Sequence, residues 1–352
     1  NKLAPASWNA RRRYLAMLVY IVRRILLGIF TTWMITVLTF IVIQAPPGDS
    51  VSRYIDELMA AGDQPAVLIA DRLRSYVGLD KPMHERYLSW MWNMLHGDFG
   101  LSFQKCIQGC GSFAEKSVKE IVKERIWLTI VLTGFTVAVT WTFAVPVGIY
   151  SAVRQHSVGD YMFTFLGFSG LAVPDFLLGL VLMYFAFAYF DQSVGGLFSA
   201  DYVNAPWSIA KARDLVSHLW IPAVVLGTSG TASLIRIMRN NLLDELAKPY
   251  VITARAKGVN PIWIIIKYPT RVAVNPLVST AGYLLPSLFS GSVIVSVVLS
   301  LPTMGPVLLA AIRQEDVYLA GFIIFVLGVL TVVGTLISDI LLVIIDPRIK
   351  YT

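Results

Sequence analysis

Residues 25–44 read ILLGIFTTWMITVLTFIVIQ, a run without a charged side chain. A helix that crosses a bilayer needs about 20 predominantly apolar residues. The run is too long for the apolar core of a secretory signal, and no convincing small-residue cleavage site follows it. Five arginines precede it: Arg11, Arg12, Arg13, Arg23 and Arg24. Because Lys and Arg collect on the cytoplasmic side of membrane helices, we predict a cytoplasmic N-terminal segment at 1–24 and the first transmembrane helix at 25–44.

The composition of the whole chain is typical of an integral membrane protein. Of its 352 residues, 56% are hydrophobic and 14% are charged, whereas soluble domains carry about 25% charged residues. The net charge of +7 would indicate nucleic-acid binding in a soluble protein. Basic cytoplasmic loops explain that charge here, so no nucleic-acid partner is expected. Two cysteines are too few for a disulfide scaffold.

Five further apolar stretches predict transmembrane helices two to six. They cover residues 127–150, 161–190, 219–238, 277–301 and 319–345. Pro174 and Asp175 lie near the middle of the second of these stretches and indicate a break or a steep tilt there. If that stretch were two short spans, every later segment would change sides. With six spans, more than half of the 29 Lys and Arg residues fall in cytoplasmic segments, as expected for membrane proteins.

The predicted organisation is therefore all-α, with six transmembrane helices and both termini in the cytoplasm. Helices two to six occupy 127–346, and 347–352 form a cytoplasmic tail. The loop 45–126 is predicted to be a helical extracytoplasmic insert, with apolar residues at helical spacing around 51–59, 67–77 and 83–96. These helices are expected to pack onto the membrane domain rather than to lie in the lipid interface.

Cys106 and Cys110 fall in this outer insert, where oxidation is permitted. We predict a disulfide between them, which would constrain local structure rather than stabilise the whole fold. A zinc site would need two further ligands, and His84 and His96 have no tight metal spacing to the cysteines. No metal site is therefore predicted.

The sequence lacks several common nucleotide-binding and catalytic motifs. It contains no G-x-x-x-x-G-K-[ST] phosphate loop, no H-E-x-x-H and no G-x-S-x-G, so neither an ATP site nor a catalytic residue is predicted. The four histidines are expected to be solvated, in or near loops. Asp175, Arg236 and Asp339 are the candidate ionisable residues within the spans, where charge is expensive and marks function by default.

The loop 239–276 between the fourth and fifth spans is the most informative segment. It contains YVITARAKG at 250–258. Pro249 directly before 250–257 and Gly258 directly after them predict a short helix over 250–257. Its small residues would allow close packing in a groove of another protein. Arg255 and Lys257 would suit an acidic rim of such a partner or, alternatively, anionic lipid.

This loop resembles the EAA-type coupling loop of ABC importer permeases, specifically of the dipeptide/oligopeptide/nickel subfamily. Further segments are similar in order and position: YIVRR (20–24), PPGDS (46–50), GLDKP (78–82), GDFGLS (97–102) and DPRIKY (346–351). The chain departs from the general EAA pattern at Ile252 and Thr253. The outer segments around Cys106 and at 191–218 look longer than in ordinary peptide permeases.

The resemblance implies a type I importer-like permease in a bacterial or archaeal inner membrane. Its implied partners are a second, homologous permease, two ATPases that hold ATP and magnesium, and an extracytoplasmic binding protein, with no cofactor on this chain. The residues that would dock on an ATPase are Tyr250, Thr253, Ala254, Arg255, Ala256 and Gly258. Peptides are the expected solute, oligosaccharides the main alternative, and nickel or opines further ones.

A solute pathway needs polar or small groups facing an aqueous cavity. The candidates are Ser169, Gly170, Pro174 and Asp175, then Thr228, Ser229 and Ser233, and finally Ser287, Ser290 and Ser292. Helix packing is the competing explanation for each of them, because small and hydroxyl residues are enriched wherever membrane helices touch. An ATP-independent channel and a membrane enzyme are the functional alternatives.

Overall fold

A computed structural model describes residues 6–45, 81–102, 116–190, 192, 195–280 and 293–345. Several predictions lie outside these residues and remain predictions. They concern the candidate helices around 51–59 and 67–77, the pair Cys106 and Cys110, the serines Ser287, Ser290 and Ser292, and the tail 347–352.

The described chain is helical apart from one very short strand pair. In chain order its elements are α1 (Ala6–Gln44), α2 (Met83–Leu95), β1 (Leu101–Ser102), β2 (Lys116–Ser117), α3 (Val118–Val153), α4 (Val158–Ala172), α5 (Asp175–Phe190), α6 (Ile209–Leu246), α7 (Pro249–Ala256), α8 (Pro261–Lys267), α9 (Pro269–Ala273), α10 (Val293–Val298), α11 (Met304–Arg313) and α12 (Val317–Ile345). The two strands pair antiparallel, with Leu101 opposite Ser117.

Four described helices are long and apolar enough to cross a membrane. They are Val19–Gln44 within α1, then α3, α6, and Val317–Ile344 within α12. The pair α4 and α5 passes the same test together but is bent by 105°, so it counts as a fifth span if it crosses as one. The predicted span at 277–301 includes residues outside the described part, and the count of six therefore stays a prediction.

The break between α4 and α5 confirms the predicted interruption at Pro174. Val173 ends α4 in an extended conformation, with φ −84° and ψ 127°, which is the region that a following proline imposes. The carbonyl of Pro174 then accepts a hydrogen bond from the backbone N–H of Leu177 at 2.9 Å. One proline thus ends the first helix while its carbonyl starts the second.

One compact unit comprises the described parts of 1–27, 130–302 and 330–352. Its core joins α3 to α6 and α9, through the buried residues Ala144, Ala152, Leu234, Met238, Leu242, Ala273 and Leu277. The closest approach is at Gly148, where an added Cβ would lie 2.6 Å from the Cβ of Met238. A glycine at this position is what lets the two long helices approach so closely.

The second unit comprises the described parts of 28–129 and 303–329. Here the insert helix α2 buries Trp90 and Met94 against Phe40 of α1. The hydroxyl groups of Tyr87 and Thr36 are 3.0 Å apart and share a hydrogen bond. The predicted helix at 83–96 is thus confirmed as Met83–Leu95, and it packs on a membrane helix as expected.

Candidate functional site

The short helix α7 begins as its sequence predicts. Lys248 is extended, with φ −70° and ψ 148°, because the residue before a proline is kept out of the helical region. Pro249 then occupies the first helical position, where its missing N–H is not needed. The observed bounds, Pro249–Ala256, confirm the predicted helix to within one residue.

Gly258 ends α7 in a Schellman motif. Its φ is +73°, the left-handed region that favours glycine. Its backbone N–H donates to the carbonyl of Arg255 at 3.0 Å, and the N–H of Val259 donates to the carbonyl of Ala254 at 3.4 Å. These two bonds satisfy carbonyls that the helix end would otherwise leave open. The chain therefore turns sharply at Gly258.

Two contacts fix α7 to the rest of its unit. The side chain of Val251 is completely buried. The hydroxyl of Tyr250 donates to Oε2 of Glu245, at the end of α6, at 2.5 Å. Partial burial, together with the hydrogen bond to Glu245, raises the pKa of the Tyr250 phenol well above its usual value. Tyr250 therefore stays a hydrogen-bond donor to Glu245 at any physiological pH.

The remaining side chains of α7 face outward. Ala254 is half-buried, whereas Thr253, Arg255, Ala256 and Gly258 are exposed. The apolar surface continues with exposed Ile252, Ile262 and Trp263, the last two 66% and 62% exposed. We call Tyr250, Ile252–Ala256, Gly258, Ile262 and Trp263 the coupling surface. Large exposed apolar side chains near a cation are typical of an interaction site.

Two pathway candidates, Gly170 on α4 and Thr228 on α6, lie where these helices pack together. A Cβ added at Gly170 would lie 2.5 Å from Cγ2 of Thr228. Thr228 donates to the carbonyl of Val224 at 2.5 Å, and Ser233 to that of Ser229 at 3.1 Å, so both hydroxyls bond within their own helix. This arrangement agrees with the packing explanation for Gly170 and Thr228.

Asp175 is the one charged pathway candidate. It lies half-buried in the first turn of α5, where a carboxylate is favoured by the helix dipole. Within the described residues it has no hydrogen-bond partner. Ser169 is half-buried one turn before the break, and Pro174 is exposed at the break itself. The structure therefore groups these three residues around the bend between α4 and α5.

Sequence reasoning missed an ion pair between Asp160 and Arg239. Arg239 donates from Nε to Oδ1 at 3.0 Å and from Nη2 to Oδ2 at 2.9 Å. Asp160 is 2% exposed and also accepts from the backbone N–H of His156 at 3.0 Å. The sequence did contain a signal for the position of Asp160 in the first turn of a helix. Ser157 lies three residues before it, which is a capping pattern ahead of an apolar run. Ser157 does accept from the N–H of Asp160 at 3.2 Å.

Of the other ionisable residues within the spans, Asp339 is paired and Arg236 lies against an aromatic ring. Asp339 lies 3.4 Å from Nε of Arg24 and accepts from the hydroxyl of Tyr20 at 2.8 Å. The guanidinium of Arg236 lies 4.6 Å from the ring centroid of Phe168. In the part of the chain that the structure describes, no cluster of His, Cys, Asp or Glu could hold a metal ion.

The prediction of solvated histidines was wrong for His218. Its side chain is 6% exposed and its Nδ1 lies 2.8 Å from the carbonyl oxygen of Asp214. The reason is that α6 begins at Ile209, ten residues before the predicted span, so His218 lies inside a helix rather than in a loop.

Comparison with known protein families shows to which family the chain belongs. Residues 17–133 match the N-terminal family of binding-protein-dependent transport system membrane components. Residues 144–351 match the family described as binding-protein-dependent transport system inner membrane component. The chain belongs to this family. It is a permease subunit, as the resemblance of its coupling loop and flanking motifs predicted, and a multi-pass protein of the inner membrane.

Individual relatives of this permease align over nearly their whole length. The oligopeptide transport system permease protein AppB of Bacillus subtilis is 33% identical over 95% of this chain and 100% of the relative. A putative peptide permease of Brucella ovis is 32% identical over 96% of this chain and 100% of the relative. The dipeptide transport system permease protein DppB of Escherichia coli is 29% identical over 95% of this chain and 99% of the relative.

Proposed function

We propose that this permease forms half of the transmembrane pathway of an ATP-driven peptide importer and that α7 docks on an ATPase subunit. The observation that carries the proposal is the geometry of α7. One face is anchored by Val251 and by the bond from Tyr250 to Glu245. Apart from the half-buried Ala254, the residues of the coupling surface are exposed to solvent. A fixed helix with an exposed apolar face is suited to transmit force from a partner.

Peptides are the proposed solute because of the relatives. The names of the three relatives above refer to oligopeptide, peptide and dipeptide transport. A further relative, from Escherichia coli, is named as a glutathione transport permease and is 28% identical over 95% of this chain. These names favour peptides over oligosaccharides, nickel or opines.

The proposed coupling runs along α6. Thr228 and Glu245 belong to this one helix and are about 25 Å apart at the rise of an α-helix. The backbone N–H of Lys248 bonds to the carbonyl of Glu245 at 3.2 Å, so α7 joins α6 through a tight turn. Displacement of α7 by an ATPase would move α6 and thus the residues near the bend at Pro174. An ATPase can bias the permease only by binding its two states with different affinity.

The proposed assembly contains a second permease, two ATPases and an extracytoplasmic binding protein. ATP and magnesium would be held by the ATPases. Ser169, Pro174, Asp175, Thr228, Ser229 and Ser233 are the proposed pathway residues in the described part of the chain. We place both termini of this permease in the cytoplasm and the insert 45–126 outside, where it would contact the binding protein.

Site-directed crosslinking tests the docking of α7. Thr253→Cys and Ala256→Cys place a thiol on the coupling surface, whereas Arg213→Cys places one at the opposite end of α6. After purification in mild detergent, a crosslinker about 10 Å long should join the first two variants to a protein with a phosphate loop. The Arg213→Cys control should give no such product. Equal yields from all three variants, or none from the first two, would contradict the docking.

The solute is tested separately. Proteins that co-purify with the permease are identified, and the binding protein among them is screened against peptide and oligosaccharide pools. Selective retention of peptides is the expected outcome. Retention of oligosaccharides instead would refute the peptide assignment and leave the docking of α7 intact.

A further inference from the structure

A cleft of about 500 Å³ opens between α4 and the second half of α6. Its polar lining includes His156, Tyr161, Arg236, Arg239 and Asn240. The cleft shares no lining residue with the coupling surface or with the proposed pathway residues. Its lining includes His156 and Asp160 of the predicted cytoplasmic segment 151–160, and Arg239 and Asn240 at the start of the predicted cytoplasmic loop 239–276.

The cleft carries a net positive charge. Asp160 neutralises Arg239 through the bidentate pair described above. Arg236, by contrast, has no carboxylate partner within the described residues, and its guanidinium lies over the ring of Phe168 at 4.6 Å. Stacking on an aromatic face orients the guanidinium while leaving its N–H donors free. One oriented cation therefore remains available to an anion.

The cleft also has apolar lining residues, among them Phe163, Leu171 and Ala232. The neighbouring outer surface of α4 exposes Phe165 and Leu166, which are 69% and 55% exposed. Large apolar side chains exposed on a membrane helix are suited to contact lipid hydrocarbon. A polar cleft that adjoins a lipid-facing surface fits a molecule with an anionic head and an apolar tail.

We propose that this cleft binds the phosphate group of an anionic membrane phospholipid. Arg236 would donate to the phosphate oxygens, since the guanidinium fork matches phosphate geometry. His156 and Asn240 would lie beside the headgroup, and the acyl chains would follow the exposed face of α4. Basic pockets between transmembrane helices are suited to such headgroups. The site requires only the membrane placement of α4 and α6 and is independent of ATPase docking.

Lipid retention tests the site. The permease, with the subunits that co-purify with it, is exchanged into nanodiscs of phosphatidylcholine with 10% phosphatidylglycerol, and bound lipid is measured by native mass spectrometry. We compare wild type with Arg236→Gln and with Arg213→Gln, a matched control at the other end of α6. We expect about fivefold weaker retention of phosphatidylglycerol in Arg236→Gln, which corresponds to about 1 kcal/mol per basic residue at an anionic surface, and no change in the control.

Three outcomes would overturn the proposal. One is retention of phosphatidylglycerol by the wild type only in proportion to its share of the nanodisc lipid, and another is equal loss of phosphatidylglycerol retention in both variants. The third is displacement of the lipid by millimolar inorganic phosphate, which would assign the cleft to a soluble phosphate compound. Thermal unfolding of each variant separates lost binding from lost folding. Phe168→Leu, which keeps an apolar side chain but removes the ring, should reduce retention in the same direction as Arg236→Gln.

Discussion

At the scale of single residues, Gly258 determines how α7 ends. A Cβ added there would meet nothing within 4 Å, so space does not require glycine. The backbone does, because φ is +73° and a side chain in the left-handed region costs about 1–2 kcal/mol. The N–H groups of Gly258 and Val259 close α7 only in this conformation. A residue that avoids it would redirect the whole coupling surface.

Gly258→Val should therefore uncouple ATP hydrolysis from transport. A penalty of 1–2 kcal/mol corresponds to about a 5- to 30-fold loss of the native loop conformation. We expect uptake into proteoliposomes to fall about tenfold while ATP hydrolysis and membrane insertion persist. Asn tolerates the left-handed region, so Gly258→Asn should retain most uptake. Normal coupled uptake by Gly258→Val would refute the assignment of α7.

At the scale of elements, Asp160 and Arg239 join α4 to α6 across 79 residues of sequence. Asp160 is almost fully buried, whereas the side chain of Arg239 is 24% exposed. Removing one member of a buried pair leaves an uncompensated charge, which costs about 3–5 kcal/mol. Removing both members avoids that charge. The pair is therefore expected to show strong non-additivity.

A double-mutant cycle measures this coupling. Asp160→Asn and Arg239→Gln should each lower the free energy of unfolding by about 3 kcal/mol. The double variant should lose clearly less than their sum, because neither charge is left alone. Unfolding in mixed micelles with increasing dodecyl sulfate gives the three values. Strictly additive losses would mean that the two side chains do not stabilise the α4–α6 contact together.

Sequence alone could predict elements whose ends are encoded locally. Pro249 and Gly258 frame α7, and Pro174 marks the break between α4 and α5. It could not predict Asp160 with Arg239, since a contact between distant residues leaves no local pattern. Sequence reasoning also missed the start of α6. Ser208 caps this helix, but the residues that follow it are polar, so a search for apolar stretches does not include them in the span. The burial of His218 follows from those missed residues, which form nearly three turns of helix at about 3.6 residues per turn.

At the scale of the molecule, the insert helix α2 is part of the second unit's core. Trp90 is 4% exposed and rests on Gly321 of α12, where an added Cβ would lie 2.6 Å from Cζ2 of the indole. The ring is rigid and enclosed by Phe40 and Met94, so it cannot simply move aside. Gly321 is thus required for α2 to dock.

Gly321→Ala should destabilise this unit by about 1–3 kcal/mol, the usual range for overpacking a core. Gly134→Ala is the matched control, because an added Cβ at Gly134 of α3 meets nothing within 4 Å. Thermal unfolding in detergent should show a lower midpoint for Gly321→Ala and an unchanged or higher one for the control. The docking of α2 on α12 would be contradicted if both variants behaved alike.

Transport by the whole assembly should depend on ATP hydrolysis. The chain has no phosphate loop, and the populations of two pathway states shift only through a ligand that binds them with different affinity. Proteoliposomes with this permease and its partner permease alone should therefore show no peptide flux. Adding the ATPases, ATP and the binding protein should give accumulation against a gradient, and ATPases that bind but do not hydrolyse ATP should abolish it. Flux through the two permeases alone would instead identify a channel, because a channel needs neither hydrolysis nor delivery.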